Sequence, residues 1–163
     1  MAVDAKLRLY IERSLAKAIV DGLTGYTVQT PGTRSEVAST VDDWFTFHPL
    51  AIPRIPSRKG TWHGRVMFQI TVFSRYGEQR SDRRLDMVFE LAAAVQALLD
   101  DNSVAILKYG GDDSVLGCLK LGPSDEVYQD EGDLGLAHRS TKPTEVSNIH
   151  SLVLTFVGTM FVS

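Results

Sequence analysis

Gly64-Arg-Val-Met-Phe-Gln-Ile-Thr-Val-Phe-Ser74 is the stretch that decides the fold, together with the segment that follows it as far as Leu99. Every second residue along its centre is apolar, and many are β-branched or aromatic, so the stretch predicts a β-strand. The apolar face of this strand is formed by Val66, Phe68, Ile70 and Val72. The polar segment 76–80 ends the alternation and separates the strand from a helical pattern.

From Ser81 the spacing of the apolar residues changes to steps of three and four, which predicts an amphipathic α-helix that ends near Leu99. The stripe expected to pack on the strand is Leu85, Val88, Phe89, Ala92, Val95 and Leu99. A second stripe lies beside it and consists of Met87, Leu91, Ala94 and Leu98. Because one stripe is enough to dock a helix on its own sheet, we expect the second stripe, with Leu91 and Leu98, to contact another subunit.

Three further segments carry clear patterns. Apolar residues at helical spacing over Ala5–Val20 predict a first helix, with Asp4 as its N-cap and Gly22 at its end. Two apolar segments around a Gly-Gly turn predict a β-hairpin over Val104–Leu121. The final segment, Ser151–Phe161, is apolar on both faces, which predicts an interior strand covered on both sides.

The segment Gly122–Asn148 differs from the rest of the chain, because it is polar, acidic and rich in turn-forming residues. We expect an irregular insertion at about 122–148. Structureless segments of that length are uncommon inside a compact domain and tend to have a function.

The composition is that of an ordinary globular protein, with 163 residues, 44% hydrophobic and 23% charged. We predict a single α+β domain over residues 1–163, with a mainly antiparallel, mixed sheet packed by two α-helices. The net charge of −3 disfavours a dedicated nucleic-acid-binding protein, which usually has a strongly basic face. The single cysteine, Cys118, excludes an internal disulfide and is expected to be a buried strand residue. We expect no membrane association, since no segment has the length and hydropathy of a spanning helix.

Motifs for catalysis, metals and cofactors are missing from the sequence. The four histidines are His48, His63, His138 and His150. They lack the spacing of a zinc site, and the acidic segment Asp125–Asp133 lacks the ligand order of an EF-hand loop. Neither a Gly-x-Ser-x-Gly elbow nor a phosphate-binding loop is present. We therefore expect no catalytic residue, no metal and no cofactor, and a protein that is not an enzyme.

Charge is segregated along the chain. A basic loop that ends at Trp62 carries Arg54, Arg58 and Lys59. An acidic loop far away in the sequence carries Asp125, Glu126, Asp130 and Glu131. One interpretation is that both loops are only solvated; the other is that they meet between copies of the protein, where opposite charges set register and partner choice.

The order of these elements resembles the tail terminator, or tail completion, proteins of long-tailed bacteriophages. The matching features are the opening helix Ala5–Val20, the strand Val66–Ser74, the Ala-rich helix Leu85–Leu99, the hairpin Val104–Leu121 and the last strand Leu152–Val162. The resemblance spans most of the chain and depends on this order of elements, since no short diagnostic motif accompanies it.

The resemblance implies a structural virion protein that forms a ring of identical subunits, a hexamer, on the end of the tail tube. Such a ring ends tube growth and provides the surface that joins the head. The implied partners are other copies of the chain, the tail tube protein and a head connector or neck protein, with DNA passing through the ring without sequence-specific binding. The implied location is the virion tail or neck, and the host cytoplasm during assembly.

Other functions stay open at this point. Phage neck and head-closure connector proteins share a similar architecture. A small-molecule or peptide-binding module would use Trp44, Phe47 and Trp62 to form its pocket. A hydrolase would use His63 or His138 with a nearby carboxylate.

Overall fold

The computed structural model describes residues 6–30, 43–51, 62–75, 81–110, 114–129 and 149–162. The helices in these ranges are α1 (Leu7–Gly22) and α2 (Ser81–Leu99). The strands are β1 (Thr27–Gln29), β2 (Asp43–Ala51), β3 (Trp62–Arg75), β4 (Ser103–Leu107), β5 (Val115–Leu121), β6 (Asp125–Gln129) and β7 (Ile149–Val162). None of the helices in the described part of the chain is long and apolar enough to span a membrane.

The strands form one curled sheet in the order β1-β2-β3-β7-β5-β4, and β6 pairs with β7 next to β5. β1 and β2 are parallel, and all other recorded pairs are antiparallel, so the sheet is mixed. The fold prediction of an α+β protein with a mainly antiparallel sheet and two helices is confirmed. The predicted hairpin is also confirmed, since β4 and β5 are antiparallel neighbours.

Both helices lie on the same face of the sheet, which we call the helix face. α1 packs mainly against β4, and α2 packs against β3 and β7. Three rings at the centre of this face hold the strands together: Phe68 stacks on Phe156 at 5.0 Å between centroids and meets the edge of Phe47 at 5.6 Å. All three are nearly fully buried, and each such ring adds roughly 2 kcal/mol or more of hydrophobic stabilisation.

β7 is the interior strand that the sequence predicts, with β3 along one edge and β5 and β6 sharing the other. Its residues on the helix face are buried: Leu152, Leu154, Phe156, Gly158 and Met160. The opposite side of the sheet, which we call the outer face, carries the remaining positions of β7. Val153, Thr155 and Val157 are half-buried there, whereas Thr159 and Phe161 are exposed. The expectation that β7 is covered on both sides is therefore wrong for its C-terminal end.

The buried face of α2 differs from the predicted one. The buried residues among those described are Val88, Leu91, Ala92, Val95 and Leu99. Leu91 is 1% exposed, whereas Phe89 is 47% exposed. The apolar arc is wide, and its centre lies near Val88, about 100° of helix rotation from Phe89. The prediction that Leu91 contacts another subunit is wrong, because the side chain is part of the subunit's own core.

Leu98 also has a role inside the subunit. It is half-buried and lies over Gly22 at the end of α1, where an added Cβ would be 2.5 Å from Leu98 Cδ1. The missing side chain at Gly22 therefore lets the two helices approach closely. This contact gives Leu98 a role inside the subunit, and contact of its remaining exposed surface with another subunit stays a prediction.

The region predicted as an irregular insertion begins with a strand. β6 covers Asp125–Gln129 and pairs with β7, and the side chain of Glu126 accepts a hydrogen bond from Gln96 of α2. The turn before β6 is held as well, since the Ser124 N–H donates to Asp100 Oδ1 at 2.9 Å. The rest of the predicted insertion, from residue 130, lies outside the described residues.

Candidate functional site: the outer face of the sheet

The outer face has a buried end and an exposed end. Residues that face each other across antiparallel strands point to the same side of a sheet, so the recorded register fixes which side chains share this face. At the buried end, Trp44 of β2, Phe73 of β3 and Ser151 of β7 form one row. Trp44 stacks on Phe73 at 4.9 Å, and all three residues are at most 5% exposed.

At the exposed end, two rows of side chains cross β3, β7 and β5. The first, which we call the basic row, is Arg65, Thr159 and Lys120. The second, which we call the aromatic row, is His63, Phe161 and Cys118. All residues of both rows are exposed except the half-buried Cys118, and Phe161 keeps 53% of its surface open to solvent.

The residues of the two rows other than Cys118 line an open groove of about 620 Å³, which we call the basic groove. Val157 and Gly158 of β7 and Asp101 from the turn after α2 also line it. Asp101 has a left-handed backbone with a φ of 56°, which Asp tolerates better than most residues. The groove thus combines two fixed cations, an imidazole, an exposed aromatic ring and one carboxylate.

Arg65 and Lys120 make no ion pair within the described part of the chain. The ion pair recorded there joins Lys17 Nζ and Asp21 Oδ2 at 2.6 Å, on the exposed side of α1. Arg65 is on β3 and Lys120 is on β5, and β7 lies between these strands. Their backbones are therefore roughly 10 Å apart. Two like charges at that distance repel by about 0.4 kcal/mol in water and by about four times that at an effective dielectric of 20. A partner that covers this end is therefore favoured if it brings negative charge.

The acidic strand lies at the other end of β7. Asp125 is opposite Thr155 and Gln129 is opposite Ser151, so β6 runs away from the basic row at Thr159. The distance from Thr155 to Thr159 is four residues, or about 13 Å along the strand. The outer face therefore carries two cations toward the C-terminal end of β7 and the carboxylate of Asp125 at β6.

The predicted interface residues other than Leu91 and Leu98 fall into three groups. Arg54, Arg58, Lys59, Asp130 and Glu131 lie outside the described residues. Trp62 begins β3, but its side chain is also outside them. Asp125 and Glu126 are both exposed, on opposite sides of β6, because neighbouring strand residues point in opposite directions. These two acids therefore do not form one surface, and only Asp125 shares the outer face with the basic row.

The aromatic pocket considered in the sequence analysis is not formed by Trp44 and Phe47. Trp44 lies on the outer face opposite Phe73, whereas Phe47 lies on the helix face opposite Ile70. Their exposed fractions are 0% and 1%. Both rings are packing residues on opposite faces, so they cannot line one pocket together.

The sequence reasoning missed three residues of the exposed end: Lys120, Thr159 and Phe161. Lys120 is the only charged residue of β5, which is a signal for an exposed strand position. Val157, Thr159 and Phe161 are two residues apart in β7, so strand alternation alone could have placed them on one face. Their convergence with Arg65 depends on strand register, which no single segment reveals.

Comparison with known proteins adds information on the fold alone. No protein-family model and no curated protein matches the chain. Twelve chains of solved structures match it. One of them, a protein whose name states no function, covers 97% of this chain and 95% of its own length with a TM-score of 0.51 and 16% identity. The likeness therefore supports the α+β architecture over the whole chain.

Proposed function

We propose that this protein is a structural subunit that forms a homo-oligomeric ring on the tail tube of a long-tailed bacteriophage. In that role it ends tube growth and provides the surface that joins the head. Its partners are its own copies, the tail tube protein and a head connector or neck protein, and its place is the virion. Two observations support the proposal: the order of elements resembles that of tail terminator proteins, and the exposed end of the outer face is suited to binding another protein.

The observation that carries the proposal is the exposed end of the outer face. Phe161, which is 53% exposed, lines an open groove together with a basic row that makes no ion pair within the described part of the chain. Exposed apolar side chains with polar and charged residues around them are typical of surfaces that bind another protein. On the helix side, most apolar residues of both helices belong to the subunit's own core, while Leu9 and Phe89 keep exposed surface.

The test is a capping experiment with tail tubes assembled in the absence of this protein. We expect the purified protein to form a ring at one end of each tube, visible by negative-stain electron microscopy, and to stop further tube growth. Phe161→Asp should abolish this activity without changing the fold. The matched control is Leu9→Asp, since Leu9 is 41% exposed on α1 at the helix side of the sheet. A wild-type protein that neither caps tubes nor stops their growth would contradict the proposal.

The neck or head-closure connector is the second candidate, because it uses the same architecture and also requires a surface for identical neighbours. The same preparations separate the two. A tail terminator binds tail tubes that lack a head, whereas a connector binds filled heads that lack a tail. Binding to heads alone would assign the protein to the neck.

A further inference from the structure

We infer that the basic groove of one subunit binds the acidic strand β6 of a second copy, so that the joint in the assembly is head-to-tail. This inference rests on the proposed function, since it names the surfaces that meet within the ring. Its basis is the position of charged residues on the strands that pair with β7: Arg65 and Lys120 near one end, and Asp125 nearer the other.

The first step is that the two charged regions do not pair within one subunit. Lys120 is opposite Thr159 and Asp125 is opposite Thr155, on the same side of β7 and about 13 Å apart along it. The structure records no ion pair between them. β6 then continues away from the groove, so each later residue of the strand is farther from Lys120.

The second step is that each subunit has two different surfaces of opposite charge beside β7, namely the basic groove and β6. A ring of identical subunits needs this arrangement, because a heterologous joint brings one surface of each subunit against another surface of the next. Asp125 of β6 carries on the outer face a charge opposite to that of Arg65 and Lys120.

The third step concerns the kind of partner. Nucleic acid is the other polyanion that a groove with Arg65 and Lys120 would attract, but protein surfaces for nucleic acid are much more positive than this one. The chain has a net charge of −3, and the carboxylate residue Asp101 is among those that line the groove. The exposed ring of Phe161 and the apolar Val157 favour a protein strand that presents both acidic and apolar side chains. β6 does so, since Val127 is 53% exposed beside Asp125.

The experiment uses two full-length variants, each with one surface disabled. The first, Arg65→Glu with Lys120→Glu, loses the basic groove and keeps the acidic strand. The second, Asp125→Asn with Val127→Asn, keeps the groove and loses the carboxylate and the apolar side chain that β6 presents on the outer face. Each variant alone should remain monomeric under conditions in which the wild type forms rings. Their equimolar mixture should form a heterodimer with one intact joint and no larger species, as measured by sedimentation velocity and native mass spectrometry.

Two controls keep the result interpretable. Arg8→Glu with Lys108→Glu makes the same change in net charge at exposed positions outside the groove and should form rings normally. Circular dichroism melts should be unchanged for all variants, because the substituted residues with described side chains are exposed.

Other outcomes overturn the inference in distinguishable ways. If either variant forms wild-type rings, the joint lies elsewhere and the proposed function still stands. If the first variant loses binding to duplex DNA while its rings persist, the groove is a nucleic-acid surface. If the wild type assembles neither alone nor on tail tubes, both the inference and the proposed function are wrong.

Discussion

The two faces of β7 show how one alternating strand serves two purposes. On the helix face, Phe156 stacks on Phe68 of the neighbouring strand and is fully buried. On the outer face five residues further on, Phe161 lies between His63 and Cys118 and is half-exposed. Both are phenylalanines in the same strand, so the difference in burial comes from the face on which each lies. The helices pack on the helix face, whereas Phe161 on the outer face stays open to solvent. The first stabilises the subunit, and the second is available to a partner.

The largest expected effect is on the stability of the buried side. Phe156→Ala should lower the free energy of unfolding by about 3–5 kcal/mol, because it removes a stacked ring and leaves a cavity. Phe161→Ala should change it by about 0.5 kcal/mol or less, as is usual for surface positions. Urea denaturation of both variants measures the difference. Similar losses would mean that Phe161 is a core residue and that the two faces are not distinct.

A second comparison lies on α2, where sequence and structure disagree. Leu91→Ala should cost about 2–5 kcal/mol, because Leu91 is 1% exposed. Phe89→Ala should cost clearly less, because Phe89 is 47% exposed. Thermal or urea unfolding of the pair checks this order. The reverse order would restore the stripe that the sequence predicts and remove Leu91 from the core.

The contact between the helices gives a smaller effect. Gly22→Val should cost about 1–3 kcal/mol, because the new side chain meets Leu98 and overpacks the joint. Leu98→Ala in the same chain should recover part of that loss, since the two sites share one contact. A double-mutant cycle of unfolding free energies measures the coupling. Strictly additive effects would show that Gly22 and Leu98 do not pack on each other.

The smallest expected effect is the response of assembly to salt. The basic row and the acidic strand are exposed, and charge pairs of this kind contribute only about 0–1 kcal/mol each. Raising the salt concentration to about 1 M shortens the screening length to about 3 Å and should weaken ring formation moderately. Sedimentation at low and high salt measures the change. Tighter assembly at high salt would show that apolar contacts dominate the joint and that the charges contribute little.

Much of the fold could be predicted, because the apolar residues that alternate in the sequence are also the residues that are buried in the structure. β3 alternates cleanly, and the hairpin has a turn between two apolar runs. The exposure of Phe89 could not be predicted. The apolar residues of α2 span a wide arc of the helix, and the sequence does not show which part of that arc packs on the sheet. β6 was missed because its sequence is polar. Pairing with the backbone of β7 makes it a strand, and context of this kind commonly overrides strand propensity.

Less of the candidate site could be predicted, for a reason of geometry. Arg65, Thr159 and Lys120 come from three strands that are far apart in the sequence and meet only through their register. A residue's charge and alternation are local properties, whereas register depends on the whole sheet. The predicted acidic residues were separated by the same rule, since Asp125 and Glu126 point to opposite sides of β6.

Cys118 provides the most direct test of the claim that the exposed end of the outer face is the assembly surface. It is the single cysteine of the chain, and it lies opposite Phe161 in the aromatic row. The measurement is the rate at which a bulky thiol reagent labels Cys118 in dissociated subunits and in assembled rings at equal protein concentration. The account predicts that labelling is at least tenfold slower in rings, because a neighbouring subunit covers the row. Equal rates in subunits and rings would contradict it.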